Sequence, residues 1–232
     1  MTFPNNMLTV IYTVDRTENY LAQTIADLKD AGIKNGVISQ GSISDNNLRS
    51  VGAVINNFFV DYPKPVVGDN DFESRSVRYK AQINYINAFR TPARNYQYRL
   101  ILEDDVRASK RNTLPVLASY LKTAERMQRG RPFILSLYTP YIFNQDKITV
   151  LRINTDGFYG TQACVFSEVI CGNFARFIEE RIETKPHDFL LKDFCKENGI
   201  NLYGATRSLF QHTGVTTTGL GHHHTTENFI GD

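Results

Sequence analysis

The chain has no long apolar run. None of its 232 residues falls in a hydrophobic stretch approaching the roughly 18 to 20 needed to cross a bilayer. Its opening, "MTFPNNMLTV", lacks the basic and apolar regions of a signal peptide. The expectation is a cytoplasmic protein, compatible with a bacterial or viral source. Charge of one sign is lacking too: 26 basic against 24 acidic side chains leave a formal charge of +2, which indicates neither nucleic acid nor an anionic membrane. Cysteine is scarce. Cys164, Cys171 and Cys195 are odd in number and form no CxxC pair, which argues against a disulfide framework and for buried thiols. Repeats, low-complexity linkers and sharp composition shifts are absent, so one domain is the simplest organisation.

What is present is an alternation of strand and helix patterns. "LTVIYTV", residues 8 to 14, reads as a buried strand, and Asn19 can cap a helix carrying Leu21, Thr24, Ile25 and Leu28 on one face. "GVIS" follows as a second strand, which makes a βα unit of a parallel sheet. Helical spacing recurs over 45–60, then in "ESRSVRYKAQINYINAFR", which leads into the strand "RLIL". A helix at 112–129 precedes the strand "PFILSLY", two further strands lie in "KITVLRI" and "GTQACVFS", and helices are expected over 167–183 and 187–198. The fold class is therefore α/β, with a central, mostly parallel sheet flanked by helices.

Glu103, Asp104 and Asp105 end the apolar strand "LIL". Three carboxylates in so short a span repel one another unless a cation or solvent separates them. In open parallel sheets ligands bind outside the carboxyl ends of strands, and hard oxygen donors suit Mg²⁺ or Mn²⁺ shared with a phosphate. A solvent-facing acidic helix start is the alternative. His212, in "SLFQHTG", is read as the end of a further strand, where a neutral imidazole can ligate a Mn²⁺-type ion. In "KPHDFLLKDF", Pro186 suits a helix start and Asp188 falls in the first turn, where an ionised carboxylate can act as a general base or be an ordinary acidic first turn.

Together these segments resemble the GT-A-fold (Rossmann-like) glycosyltransferases, in particular the catalytic domain of the β-1,4-N-acetylglucosaminyltransferases called GnT-IV. The resemblance is carried by "DRTENYLAQTIADL", "VRYKAQINYINAF", the DxD-like "LILEDDV", "FYG", "KPHDFLLKDF" and "SLFQHTG". It implies a metal-dependent, inverting transfer of a sugar from a nucleotide-sugar donor, UDP-linked and of the UDP-GlcNAc kind, to a hydroxyl of a glycan or another acceptor. Residues 1–106 would be the nucleotide-sugar-binding half, and 107–232 the acceptor-binding and catalytic half. Asp105 and His212 would ligate Mn²⁺ or Mg²⁺, and Asp104 would contact the ribose and metal environment. Thr13 and Arg16 would meet the nucleotide, Arg78 and Lys80 the donor phosphates, and Asp188 would be the base. Asn84 stands where the family carries an acid, and Val215 where a second histidine is expected.

Two other readings fit parts of the pattern. One is a metal-dependent phosphohydrolase or nucleotidyltransferase, although the chain's sole glycine-rich stretch is C-terminal rather than a phosphate loop. The other is a non-catalytic nucleotide-sugar-binding protein of the same fold. His222 to His224 lie in that glycine-, threonine- and histidine-rich stretch, whose composition suits a lid or a plain surface loop. Neighbouring side chains in a loop rarely converge on one ion.

Overall fold

In the computed structural model, residues 6–13, 20–40, 58–61, 72–110, 112–142, 146–215 and 225–231 are described. The strands are β1 (Met7–Thr13), β2 (Gly36–Gln40), β3 (Phe58–Asp61), β4 (Tyr98–Glu103), β5 (Val106–Ala108), β6 (Phe133–Ser136), β7 (Val150–Arg152), β8 (Ala163–Ser167), β9 (Asn201–Ala205) and β10 (Phe210–His212). The helices are α1 (Tyr20–Asp30), α2 (Val77–Arg90), α3 (Thr113–Gln128), α4 (Glu168–Glu179) and α5 (His187–Asn198). Eight strands form one sheet in the order β3-β2-β1-β4-β8-β6-β9-β7, and β5 pairs with β10 in a separate two-stranded sheet. The β3-β2, β2-β1, β1-β4 and β6-β9 pairs are parallel, whereas β8 runs against both β4 and β6. This is the α/β arrangement expected, with a central, mostly parallel sheet and helices on both faces.

Strand alternation sorts the core into two layers. Met7 and Ile11 of β1 and Leu100 and Leu102 of β4 pack with Leu21, Ile25 and Leu28 of α1 and Leu117 and Leu121 of α3. Leu8, Val10 and Tyr12 of β1 and Ile101 of β4 pack on the other face with Ile83 and Ile86 of α2, Phe174 of α4, and Leu190 and Phe194 of α5. Glu103 continues the Ile101 series, toward α2 and α5. Asp104 breaks away in the turn that follows.

One charge is buried within this framework. Arg99 of β4 is 1% exposed and every arm of its guanidinium is used. It donates to both carboxylate oxygens of Glu168, at 3.0 and 2.6 Å, and to the carbonyls of Ala88 and Thr91, at 2.6 and 2.8 Å. The junctions of α2, β4 and α4 are thereby tied to one side chain.

The elements differ from expectation in a few places. The helix expected over 45–60 reaches into β3, where Phe58 opens a strand pairing with Gly36; residues 41–57 lie outside the described residues. Phe-Phe-Val suits a strand as well as a helical stripe, and docking beside β2 decides between them. Strands β5 and β9 carry too few residues of regular alternation to be read in advance. The α5 boundaries match those expected, and all three cysteines are buried thiols. Burial raises the Cys164 and Cys195 thiols to about 12, so they are held as inert core groups.

Candidate metal and catalytic site

The acids lie at the carboxyl ends of the central strands. Tyr12 and Glu103 are register partners on β1 and β4, and the Tyr12 hydroxyl donates to Glu103 Oε1 at 2.8 Å. Burial and the neighbouring Glu103 charge raise the Tyr12 pKa well above its ordinary value, so it stays a donor. On the other side of the strand, the Thr13 hydroxyl donates to Asp104 Oδ2. The Thr24 hydroxyl of α1 also donates to the Asp104 and Val106 carbonyls, at 2.6 and 2.8 Å, which pins the turn to the helix.

The short β5-β10 ladder brings the distant histidine in. His212 is the register partner of Val106, and its Nε2 lies 3.3 Å from Asp105 Oδ2. Both Asp105 and His212 are buried. The next residue, Thr213, uses both its backbone N–H and its hydroxyl on the Asp105 carbonyl, each at 2.9 Å. Gly214 then passes so close to the Asp105 carboxylate that a side chain there would force the carboxylate to shift. One ligand atom from each of Glu103, Asp105 and His212 can be chosen so that all lie within 4.8 Å of one another. These two carboxylates and an imidazole could hold a metal ion. The donor set fits a hard to borderline divalent cation, with the nitrogen favouring Mn²⁺ over Mg²⁺.

Aromatic rings connect the acids to the start of α5. The Tyr12 and Tyr85 rings are 5.1 Å apart, and Tyr85 lies 4.8 Å from the His187 ring. The Tyr85 pKa is raised well above its ordinary value by burial, and further by Cys164, Glu103 and Asp188, so its hydroxyl is within electrostatic reach of both carboxylates. Asp188 is half-buried in the first turn of α5, where its Oδ1 accepts the Phe189 N–H at 2.9 Å. Gln82 fixes the approach to that turn: its side-chain amide donates to the Lys185 carbonyl and its oxygen accepts the Glu183 N–H, both at 2.6 Å.

The expected residues thus fall into distinct places. Asp105 and His212 meet directly, Thr13 meets Asp104, and Asp188 follows His187, whose ring lies against Tyr85. Arg78 is exposed in the first turn of α2, and the Lys80 ammonium lies 5.9 Å from the centre of the Phe72 ring. Arg16 and His222 to His224 lie outside the described residues. Asn84 is buried; it accepts from the Ser39 hydroxyl at 3.0 Å and donates to the Thr13 carbonyl at 2.8 Å, bracing β2 against β1. Glu103, Tyr12 and Gly214 were not assigned roles from the sequence. Glu103 ends β4, and the turn at 104 and 105 that follows brings the Asp105 carboxylate to it, which no strand periodicity in the sequence shows.

No protein-family model matches the chain, and no curated protein matches its sequence. Solved structures of similar shape include 4-diphosphocytidyl-2C-methyl-D-erythritol synthase from Anaerococcus prevotii. It is 9% identical with a TM-score of 0.48, over 86% of this chain and 89% of that one. The galactosyltransferase LgtC, solved with donor and acceptor sugar analogues, is 12% identical with a TM-score of 0.49, over 81% and 70%. A cytidylyltransferase from Leptospira borgpetersenii is 13% identical with a TM-score of 0.47, over 83% and 73%. At this level of likeness the fold rests on the strand order and pairing described above.

Proposed function

We propose that the chain is a metal-dependent, inverting glycosyltransferase that moves a sugar from a nucleotide-sugar donor, UDP-linked, to a hydroxyl acceptor. The observation that carries this reading is the convergence of Glu103, Asp105 and His212 at the carboxyl end of β4. Asp105, His212 and Glu103 would hold Mn²⁺ or Mg²⁺, which would neutralise the diphosphate of the donor. Asp104, oriented by Thr13, forms the nucleoside side of the site with Arg16, and Arg78 and Lys80 supply positive charge toward the phosphates. Asp188 accepts the proton of the attacking hydroxyl as the new glycosidic bond forms and the bond to the diphosphate breaks. Attack opposite the departing diphosphate inverts the anomeric centre. Tyr12 and Tyr85 stand between the acids and the start of α5 as neutral groups, because burial raises both of their pKa values.

Thermal unfolding with a panel of nucleotide sugars, with and without Mn²⁺, tests the donor site, since a ligand that binds only the folded state must raise its apparent stability. A Mn²⁺-dependent shift with UDP-sugars is expected. Asp188→Ala should keep that shift and lose transfer; full transfer by this variant would overturn the base assignment. Release of pyrophosphate from a nucleoside triphosphate plus a sugar phosphate would instead assign nucleotidyl transfer.

A further inference from the structure

A cavity of about 320 Å³ opens at the end of the sheet remote from the acids. Its walls come from residues 152–155, which lead out of β7, and residues 200–202, which lead into β9. Strand β9 is parallel to β6, and β6 and β4 both run against β8, so β9 and β4 point the same way. The acids stand at the carboxyl end of β4, whereas the cavity stands at the amino end of β9, three strands across the sheet. No group assigned to sugar transfer lines it.

One part of the wall is apolar: Ile153, Ile200 and Leu202, which pack with the core layer of α4 and α5. The other part carries donors. Arg152 and Arg131 are both exposed, and among the described residues neither has a carboxylate within ion-pair distance. Arg152 is the register partner of Tyr203, whose pKa is raised by burial against the opposing charges of Arg152 and Arg131, so both guanidinium groups lie within electrostatic reach of one hydroxyl. Asn154 uses its side-chain oxygen on the Asp156 N–H, at 3.1 Å, which leaves the NH₂ of its amide as a donor. Asn201 donates to Gln128 Oε1 at 3.2 Å, and Gln128 Nε2, buried on that same amide, has no acceptor among the described residues. The Asp156 carboxylate, which follows this wall in the chain, is matched by Lys196. Positive charge and donors beside an apolar wall call for a ligand with acceptor oxygens at one end and carbon at the other. A planar guanidinium forks onto two oxygens of a carboxylate or a phosphate.

We propose that this cavity is a second ligand site, which takes a small oxyanion, carboxylate or phosphate, carried on an apolar body. The oxyanion meets Arg152 and the amides of Asn154 and Asn201, and the apolar body lies on Ile153, Ile200 and Leu202. The site is independent of the glycosyl-transfer reading, because it shares no residue with it.

Isothermal titration calorimetry without Mn²⁺, at constant ionic strength, tests it with benzoate, phenyl phosphate, inorganic phosphate and the neutral benzyl alcohol. Saturable one-to-one binding of benzoate or phenyl phosphate is expected, and the tighter of the two identifies the headgroup. Inorganic phosphate and benzyl alcohol each carry half of the required form and should bind at least about tenfold more weakly. Arg152→Gln should weaken binding of the aryl anion about tenfold or more, as loss of a charge-assisted fork predicts. Asp105→Asn should leave it unchanged, because the acids stand at the other end of the sheet. No saturable binding of either aryl anion would overturn the site, as would equal binding of benzyl alcohol or of inorganic phosphate, or unchanged binding in Arg152→Gln. Loss of binding in Asp105→Asn would place the anion at the acids and overturn it as well.

Discussion

Gly214 lies against Asp105 so closely that a Cβ at 214 would overlap the Oδ2 atom and come within 2.9 Å of Cγ. The residue that follows the histidine and threonine is therefore shaped by the carboxylate it passes. Gly214→Ala is expected to push the Asp105 side chain away from His212 and to abolish Mn²⁺-induced stabilisation. The folded apo protein should lose only about 1 to 3 kcal/mol, the usual range for overpacking. Thermal unfolding with and without Mn²⁺ separates the two effects; a full Mn²⁺ response in this variant would show that the cradle is not needed.

The three acids should separate by partner: Tyr12 for Glu103, Thr13 for Asp104 and His212 for Asp105. Mn²⁺ at about 100 times its Kd adds about 2.7 kcal/mol, a rise of roughly 5 to 10 °C for a chain of this size. Glu103→Gln should weaken that rise, and Asp105→Asn should remove it. Asp104→Asn, whose side chain is held by Thr13 on the opposite side of the strand, should retain it. Loss of the response in Asp104→Asn with retention in Glu103→Gln would reverse the assignment.

His187 predicts a pH dependence. Burial lowers its pKa below the ordinary 6.5, with the Asp188 charge opposing. The unfolded chain then binds the proton at a higher pH than the folded one, so stability is present above about 6.5 and is lost as pH falls toward the folded-state pKa. His187→Phe keeps a ring against Tyr85 and removes the titration. The wild-type Tm should fall more than that of the variant between pH 7 and 5; identical slopes would show that His187 does not contribute.

Arg99 should be the most sensitive charged position in the sheet. Arg99→Ala leaves Glu168 and two buried carbonyls without their donor, and a loss of about 3 to 5 kcal/mol is expected on denaturant unfolding. Arg99→Lys should recover little of it, because an ammonium cannot reproduce the bidentate fork. A loss below about 1 kcal/mol would place the pair with ordinary surface ion pairs.

Much of the architecture was legible along the chain. Strands β1, β2 and β4 follow from β-branched runs separated by helical stripes, and the α5 boundaries follow from Pro186 and the apolar spacing after it. Phe58 was read as part of a helix and opens a strand instead, because an apolar aromatic pair fits either period and pairing with β2 decides. Asn84, read as a departure from a charged nucleotide contact, is a buried brace between strands, which no single-sequence pattern distinguishes from a surface amide.

The sequence by itself determined that three carboxylates would stand at the end of a buried strand, that a histidine would end a later one and that Asp188 would open a helix. These follow from local periodicity and turn chemistry, which act within a few residues. Only the tertiary structure decided which acids belong together. Glu103 joins Asp105 because the turn at 104 and 105, between β4 and β5, brings the two carboxylates together, and His212 joins them because the β5-β10 ladder brings it across 107 residues of chain to Asp105. Those choices depend on pairing register and packing between remote segments, and that information appears only when the chain has folded.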